Sequence, residues 1–131
     1  MLDAAIFNLI IGNADAHAKN FSLLHRDGVI TMAPLYDLLA TFIYPELSPR
    51  MAMKIGGKAV LQELELRHWD KFSADAELGG PFVRTRIKQL CGLAKDAIDR
   101  EFASGVFASA SFAPIKAAVA ERALLMAIKY R

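Results

Sequence analysis

The sequence predicts a mainly α domain with one or two small β-hairpins confined to its N-terminal part. Two long apolar stripes at helical spacing in the second half carry that reading, together with an almost wholly apolar opening helix. Two turn signals, Arg26-Asp27-Gly28 and Gly56-Gly57, each flanked by short runs of strand-forming residues, add the hairpins.

Residues 2 to 12 read as a helix crowded with Ile6, Phe7, Leu9, Ile10 and Ile11. A helix apolar nearly all round is buried, and Gly12-Asn13 stops it. Residues 13 to 20 form a polar loop wedged between apolar segments. Phe21 to His25 and Val29 to Met32 read as paired strands around the Asp27-Gly28 turn, and Leu38 to Phe42 as the start of a helical turn. Pro45 and Pro49 flank an irregular stretch. Met51 to Ile55 reads as a strand turned by Gly56-Gly57, while Val60 to Leu66 stays between strand and helix. Arg67 to Leu78 has helical character, with Trp69, Phe72 and Ala76 near one face. Gly79-Gly80-Pro81 separates it from the next helix.

From Phe82 to about Phe102, the residues Val83, Ile87, Leu90, Cys91, Ala94, Ile98 and Phe102 recur at a 3.6-residue period. A small-residue loop is expected from Ser104 to Ser111. A last amphipathic helix is marked by Phe112, Ile115, Val119, Ala123, Met126 and Tyr130. Lys116, Arg122, Lys129 and Arg131 read as its solvated face.

A chain of 131 residues fits one domain, here residues 1–131. With 54% hydrophobic and 23% charged residues it can bury a core. Its mean hydropathy of +0.26 points to an internal or partner-facing apolar surface. No run approaches the ~18 apolar residues of a membrane span; the longest, Ala4 to Gly12, is broken by Asn8. The start carries an Asp and no basic leader, so no signal peptide is expected. A net charge of +2 makes no demand for nucleic acid. A single cysteine, Cys91, excludes an intrachain disulfide and a Cys-based zinc site. It reads as a core residue on the helix stripe, and a reducing cytoplasm is the expected compartment. His17, His25 and His68 lack the clustering that a His-based metal site needs.

The polar loop is where chemistry concentrates. Phosphoryl transfer needs a carboxylate to orient the attacking hydroxyl and oxygen ligands on short loops to hold Mg²⁺ against phosphates. Protein kinases place a catalytic Asp five positions before a metal-binding Asn. Asp15 and Asn20 have that separation. A hairpin returns the chain close to where it left, so Asp37 can meet Asn20 on one ion while Asp15 faces the substrate. An aspartate in water titrates at ~3.9 and is a weak base at neutral pH. Asp15 is therefore expected to orient the hydroxyl and take its proton late. Lys19 is either a phosphate contact or a solvated loop charge, and His17 is expected to brace the loop through its imidazole. The same carboxylates could also serve a Mg²⁺-dependent phosphoesterase.

Leu9-Ile10-Ile11-Gly12-Asn13-Ala14-Asp15-Ala16-His17-Ala18-Lys19-Asn20-Phe21-Ser22-Leu23 resembles the catalytic segment of HipA-like serine/threonine kinases. Ala33-Pro34-Leu35-Tyr36-Asp37 resembles that family's metal segment. Met51 to Lys58 and Arg67-His68-Trp69 are similar less specifically, so the resemblance runs to about residue 78. It implies a helical protein-kinase-like C-terminal lobe with its hairpins near the catalytic loop. It matches Asp15 to the catalytic aspartate and Asn20 and Asp37 to the Mg²⁺ ligands. It further implies ATP as phosphoryl donor, a protein substrate and an antitoxin-like DNA-binding partner. The glycine-rich loop and lysine that grip ATP lie upstream in such kinases, and Asp15 comes only fourteen residues after Met1. The chain is thus expected to be the larger lobe alone, incomplete by itself. Self-association or partner binding is expected through the face beside residues 1 to 20 that the other lobe would cover.

Overall fold

The structure is a computed structural model that describes residues 1–105 and 109–130. Among them are four α-helices: α1 (Leu2–Ile11), α2 (Leu66–Asp75), α3 (Gly80–Ala103) and α4 (Ala113–Lys129). Two antiparallel hairpins join β1 (Leu23–Arg26) to β2 (Val29–Met32) and β3 (Arg50–Ile55) to β4 (Lys58–Val60). The fold class is the expected one, mainly α with its two hairpins toward the N-terminal side.

Helix α1 ends where Gly12 enters the left-handed region at φ 72°. The Asn13 N–H then reaches back to the Asn8 carbonyl at 2.9 Å, a helix-closing contact that directs the chain into the polar loop. Leu23 pairs with Met32 and Arg26 with Val29 across the first turn, where Asp27 and Gly28 both adopt positive φ. The helical turn expected from Leu38 is a single 3₁₀ turn at Thr41–Ile43. The undecided stretch from Val60 divides into the end of β4 and a 3₁₀ turn at Leu61–Glu63. Gly56 is required by close approach, because a Cβ there would lie 1.9 Å from the His68 carbonyl oxygen of α2.

The core gathers Ile6, Leu9 and Ile10 of α1, Trp69 of α2, Val83, Ile87 and Cys91 of α3, and Ala123 and Tyr130 around α4. The α3 stripe is the expected one in its buried centre. Trp69 is fully buried and meets Phe72 edge to face at 5.6 Å. Ala76 lies beyond the end of α2 and is exposed, so it does not share that core position. On α4 the stripe holds at Ala123 and Tyr130, while Phe112 and Ile115 are exposed.

Arg122 corrects the sequence reading more sharply: it is buried, not part of a solvated face. Lys116 lies over the Phe102 ring and Lys129 reaches the Gln62 carbonyl. The loop expected from Ser104 to Ser111 falls partly outside the described residues, as does Arg131. A bidentate ion pair between Arg86 and Asp3 joins α3 to α1 at 2.6 and 2.7 Å and holds the Asp3 carboxyl below its usual range. No helix among the described residues is long and apolar enough to cross a membrane.

Candidate active site

The loop after α1 is built from amides and hydroxyls. Asn8, a polar residue inside the apolar helix, donates to the Ala4 carbonyl at 2.9 Å and accepts from Asn13 Nδ2 at 2.9 Å. Asn13 Nδ2 also reaches the Asp37 carbonyl at 3.3 Å, and its Oδ1 accepts the Asp15 N–H at 3.0 Å. One buried side chain thus ties α1, Asp15 and Asp37 together. Thr41 adds a second staple. Its hydroxyl accepts the Ala14 N–H at 2.8 Å and donates to the Gly12 carbonyl at 3.0 Å. The Ala14 carbonyl in turn takes the Ala52 N–H of β3 at 2.8 Å.

The hairpin brings the two ends of the site together. Asn20 Nδ2 donates to Asp37 Oδ2 at 2.5 Å. Asn20 is buried, and its Oδ1 accepts the His17 N–H at 2.9 Å, which fixes which way the amide faces. Asp37 is exposed and holds a positive φ of 55°. Aspartate is among the few side chains that visit this region readily, and here it lets one residue use its carbonyl on Asn13 and its carboxylate on Asn20. The Tyr36 hydroxyl donates to the Lys19 carbonyl at 2.6 Å and lies 2.8 Å from Ser22 Oγ, closing the base of the hairpin.

Asp15 is exposed and lines an open cleft of about 330 Å³ with Leu39, Thr41, Leu47, Ser48 and Arg50. Lys19 is exposed at the loop's far end. His17 is half-buried. It braces the loop through its main-chain N–H, because its Nδ1 is buried without a hydrogen-bond partner.

The residues present fit a hard divalent cation. Asn20 Oδ1 spends one lone pair on His17 and keeps a second, while Asp37 offers a carboxylate on the exposed side. The described residues contain no cluster of three His, Cys, Asp or Glu side chains able to hold a metal. An ion here would take two protein oxygens at most and complete its shell with waters or phosphates, as Mg²⁺ commonly does.

Of the residues that shape the site, Asn8, Thr41 and Tyr36 carried no functional reading from sequence. Only Asn8 had a local signal, as the lone amide in an apolar helix.

Comparison with known proteins bears on the family and the fold. Residues 1–98 match the model of the HipA-like C-terminal domain. The putative kinase Y4mE of Sinorhizobium fredii is 53% identical over 100 residues, covering 76% of this chain and 24% of that protein. The serine/threonine-protein kinase toxin HipA of Shewanella oneidensis is 42% identical over 55 residues, covering 42% of this chain and 13% of the toxin. The chain therefore spans about a quarter or less of the length of these relatives. In the solved complex of Shewanella oneidensis HipA with HipB and operator DNA, the fold matches over 98% of this chain and 30% of that one, with a TM-score of 0.88 at 23% identity. With the family model covering most of its length, the chain belongs to the HipA-like C-terminal domain family, whose relatives include a toxin kinase of a toxin–antitoxin system.

Proposed function

We propose that residues 1–131 are the catalytic-loop lobe of a serine/threonine protein kinase of toxin–antitoxin type, built to transfer the γ-phosphoryl group of ATP to a protein hydroxyl. The contact from Asn20 Nδ2 to Asp37 Oδ2 across the hairpin supports this most directly, because it brings the Asn20 amide and the Asp37 carboxylate together beside the loop that carries Asp15.

Asp15 accepts a hydrogen bond from the substrate hydroxyl and aims it at the phosphorus. It receives the proton as the new phosphorus–oxygen bond forms. Its side chain is exposed to an incoming segment in the cleft that Arg50 also lines. Asn20 and Asp37 would hold Mg²⁺, with Asn13 keeping the Asp37 segment in place through its carbonyl. A Mg²⁺ ion held there would supply positive charge to offset what develops on the phosphate oxygens. Lys19 supplies further positive charge at the loop's end. His17 sets the Asn20 amide through its N–H.

ATP is gripped in this reading by a glycine-rich lobe outside residues 1–131, so these residues alone are inactive or weakly active. Mixing it with a separately produced nucleotide-binding lobe from the same kinase restores transfer of labelled phosphate to a protein acceptor, and Asp15→Ala abolishes it. Activity that survives Asp15→Ala would sink the assignment.

A second reading is a non-catalytic module that binds an antitoxin-like DNA-binding protein or another copy of itself through the face beside residues 1 to 20. Large apolar side chains exposed at Met1, Leu23, Val29 and Ile30 favour it. Sedimentation across a concentration series would detect self-association, and a strictly monomeric chain would count against that form of it. The cytoplasm is the compartment that either reading implies.

A further inference from the structure

We infer that Arg122, on the last helix, is a positioning residue for both the loop that carries Asp15 and the segment that carries Asp37. The inference deepens the kinase reading and rests on it only for the effect on turnover. Arg122 lies beyond residue 98, where the match to the family model ends.

The guanidinium is buried and donates from Nε at 3.2 Å and from Nη2 at 2.7 Å to a single acceptor, the Leu9 carbonyl. That carbonyl stands in the last turn of α1, where the helix dipole concentrates negative charge, and it also accepts the Gly12 N–H at 3.1 Å. No carboxylate pairs with Arg122 among the described ion pairs, so the end of α1 is its counter-charge. The Phe42 ring lies 5.0 Å from the guanidinium carbon. The Phe42 N–H donates to the Gly12 carbonyl at 3.2 Å. Gly12 is gripped between them, since a Cβ there would sit 2.4 Å from Phe42 Cδ1 and 2.8 Å from Arg122 Nε.

Two features make this more than packing. Gly12 immediately precedes the stretch Asn13 to Asp15, and Phe42 immediately follows Thr41, whose hydroxyl fixes Ala14. One side chain of α4 therefore touches both strands of the chain that form the site. A buried cation is also a poor choice for stability alone, because an apolar side chain of similar volume usually does as well or better. What a planar, two-donor group adds is direction.

Amide hydrogen exchange on the full chain tests this without requiring catalysis. The Ala14, Phe42 and Ala52 amides report on the site, each through its own hydrogen bond, and amides around Ile87 and Cys91 in α3 report on the core. In Arg122→Leu, measured well below its melting temperature, site amides lose protection at least ~10-fold while core amides move less than ~3-fold, as expected for local opening distinct from global unfolding. Arg122→Lys keeps a cation and one donor and recovers part of the loss. Phe42→Leu, which removes the ring but leaves the arginine, reproduces the pattern and carries the test if Arg122→Leu does not fold. In the complemented kinase, kcat falls about 100-fold with KM for ATP unchanged, the cost of a misplaced reacting group. Equal loss at site and core amides, or no loss at the site, overturns the inference. Absence of transfer in every form, wild type included, refutes the kinase reading instead and leaves the exchange result to stand alone.

Discussion

The helical half, α2 to α4, is held by apolar burial around Trp69, Ile87, Cys91 and Tyr130, whereas the loop half, from Asn8 to Thr41, is held by amide and hydroxyl hydrogen bonds. Their sensitivities to mutation should therefore differ in kind. Burial is non-directional, so damage to it is felt as a general loss of free energy. Hydrogen bonds are directional, so damage to the loop is felt as a loss of geometry while the remainder stays folded.

The largest effect is expected in the helical half. Trp69→Ala removes a fully buried side chain and should cost ~3–5 kcal/mol, read as a lower urea midpoint common to all probes. Thr41→Val removes the hydroxyl while keeping the shape; it strands the Ala14 N–H and leaves the Gly12 carbonyl with the Phe42 N–H. We expect a loss of ~1–3 kcal/mol, with exchange faster at Ala14 than in α3. A uniform increase in exchange would erase the distinction between the halves.

Alkaline pH sharpens the comparison further. Burial pushes the Cys91 thiol up from 9.0 to about 11. The unfolded thiol ionises first, so its contribution to stability is intact below pH 9 and is lost as pH rises toward about 11. The slope attributable to it is at most ~1.4 kcal/mol per pH unit. Cys91→Ala should flatten that part of the stability profile; an unchanged profile would mean the thiol is not shielded as its burial implies. The smallest effect on stability belongs to the site's exposed carboxylate. Asp15→Asn should leave the melting temperature nearly unmoved, within ~0.5 kcal/mol, while abolishing transfer in the complemented kinase.

Sequence and structure agree best where the pattern is local. The spacing of Asp15 and Asn20, the Asp27-Gly28 turn and the period of α3 are relations among near neighbours, and a short turn limits where Asp37 can go. The joining of Asn20 to Asp37 follows from that limit. Thr41 was not legible, because its partners Gly12 and Ala14 lie 29 and 27 residues away and no repeat or motif links them. Arg122 was misread for a physical reason. It sits next to Ala123 on a helix whose apolar period is clear, and a charge at such a place ordinarily faces water. Its burial depends on the carbonyl of Leu9, which only the folded α1 presents.

The separation of that last contact bears on synthesis. Leu9 and Arg122 are 113 residues apart. A ribosome delivers the loop early and its clamp late, after α3 and most of the core residues have been made. A nascent chain that has not yet released Arg122 holds Asp15 on a loop braced from one side only. Competence would then arrive with the last helix, making the emergence of α4 the step that completes the brace on the loop.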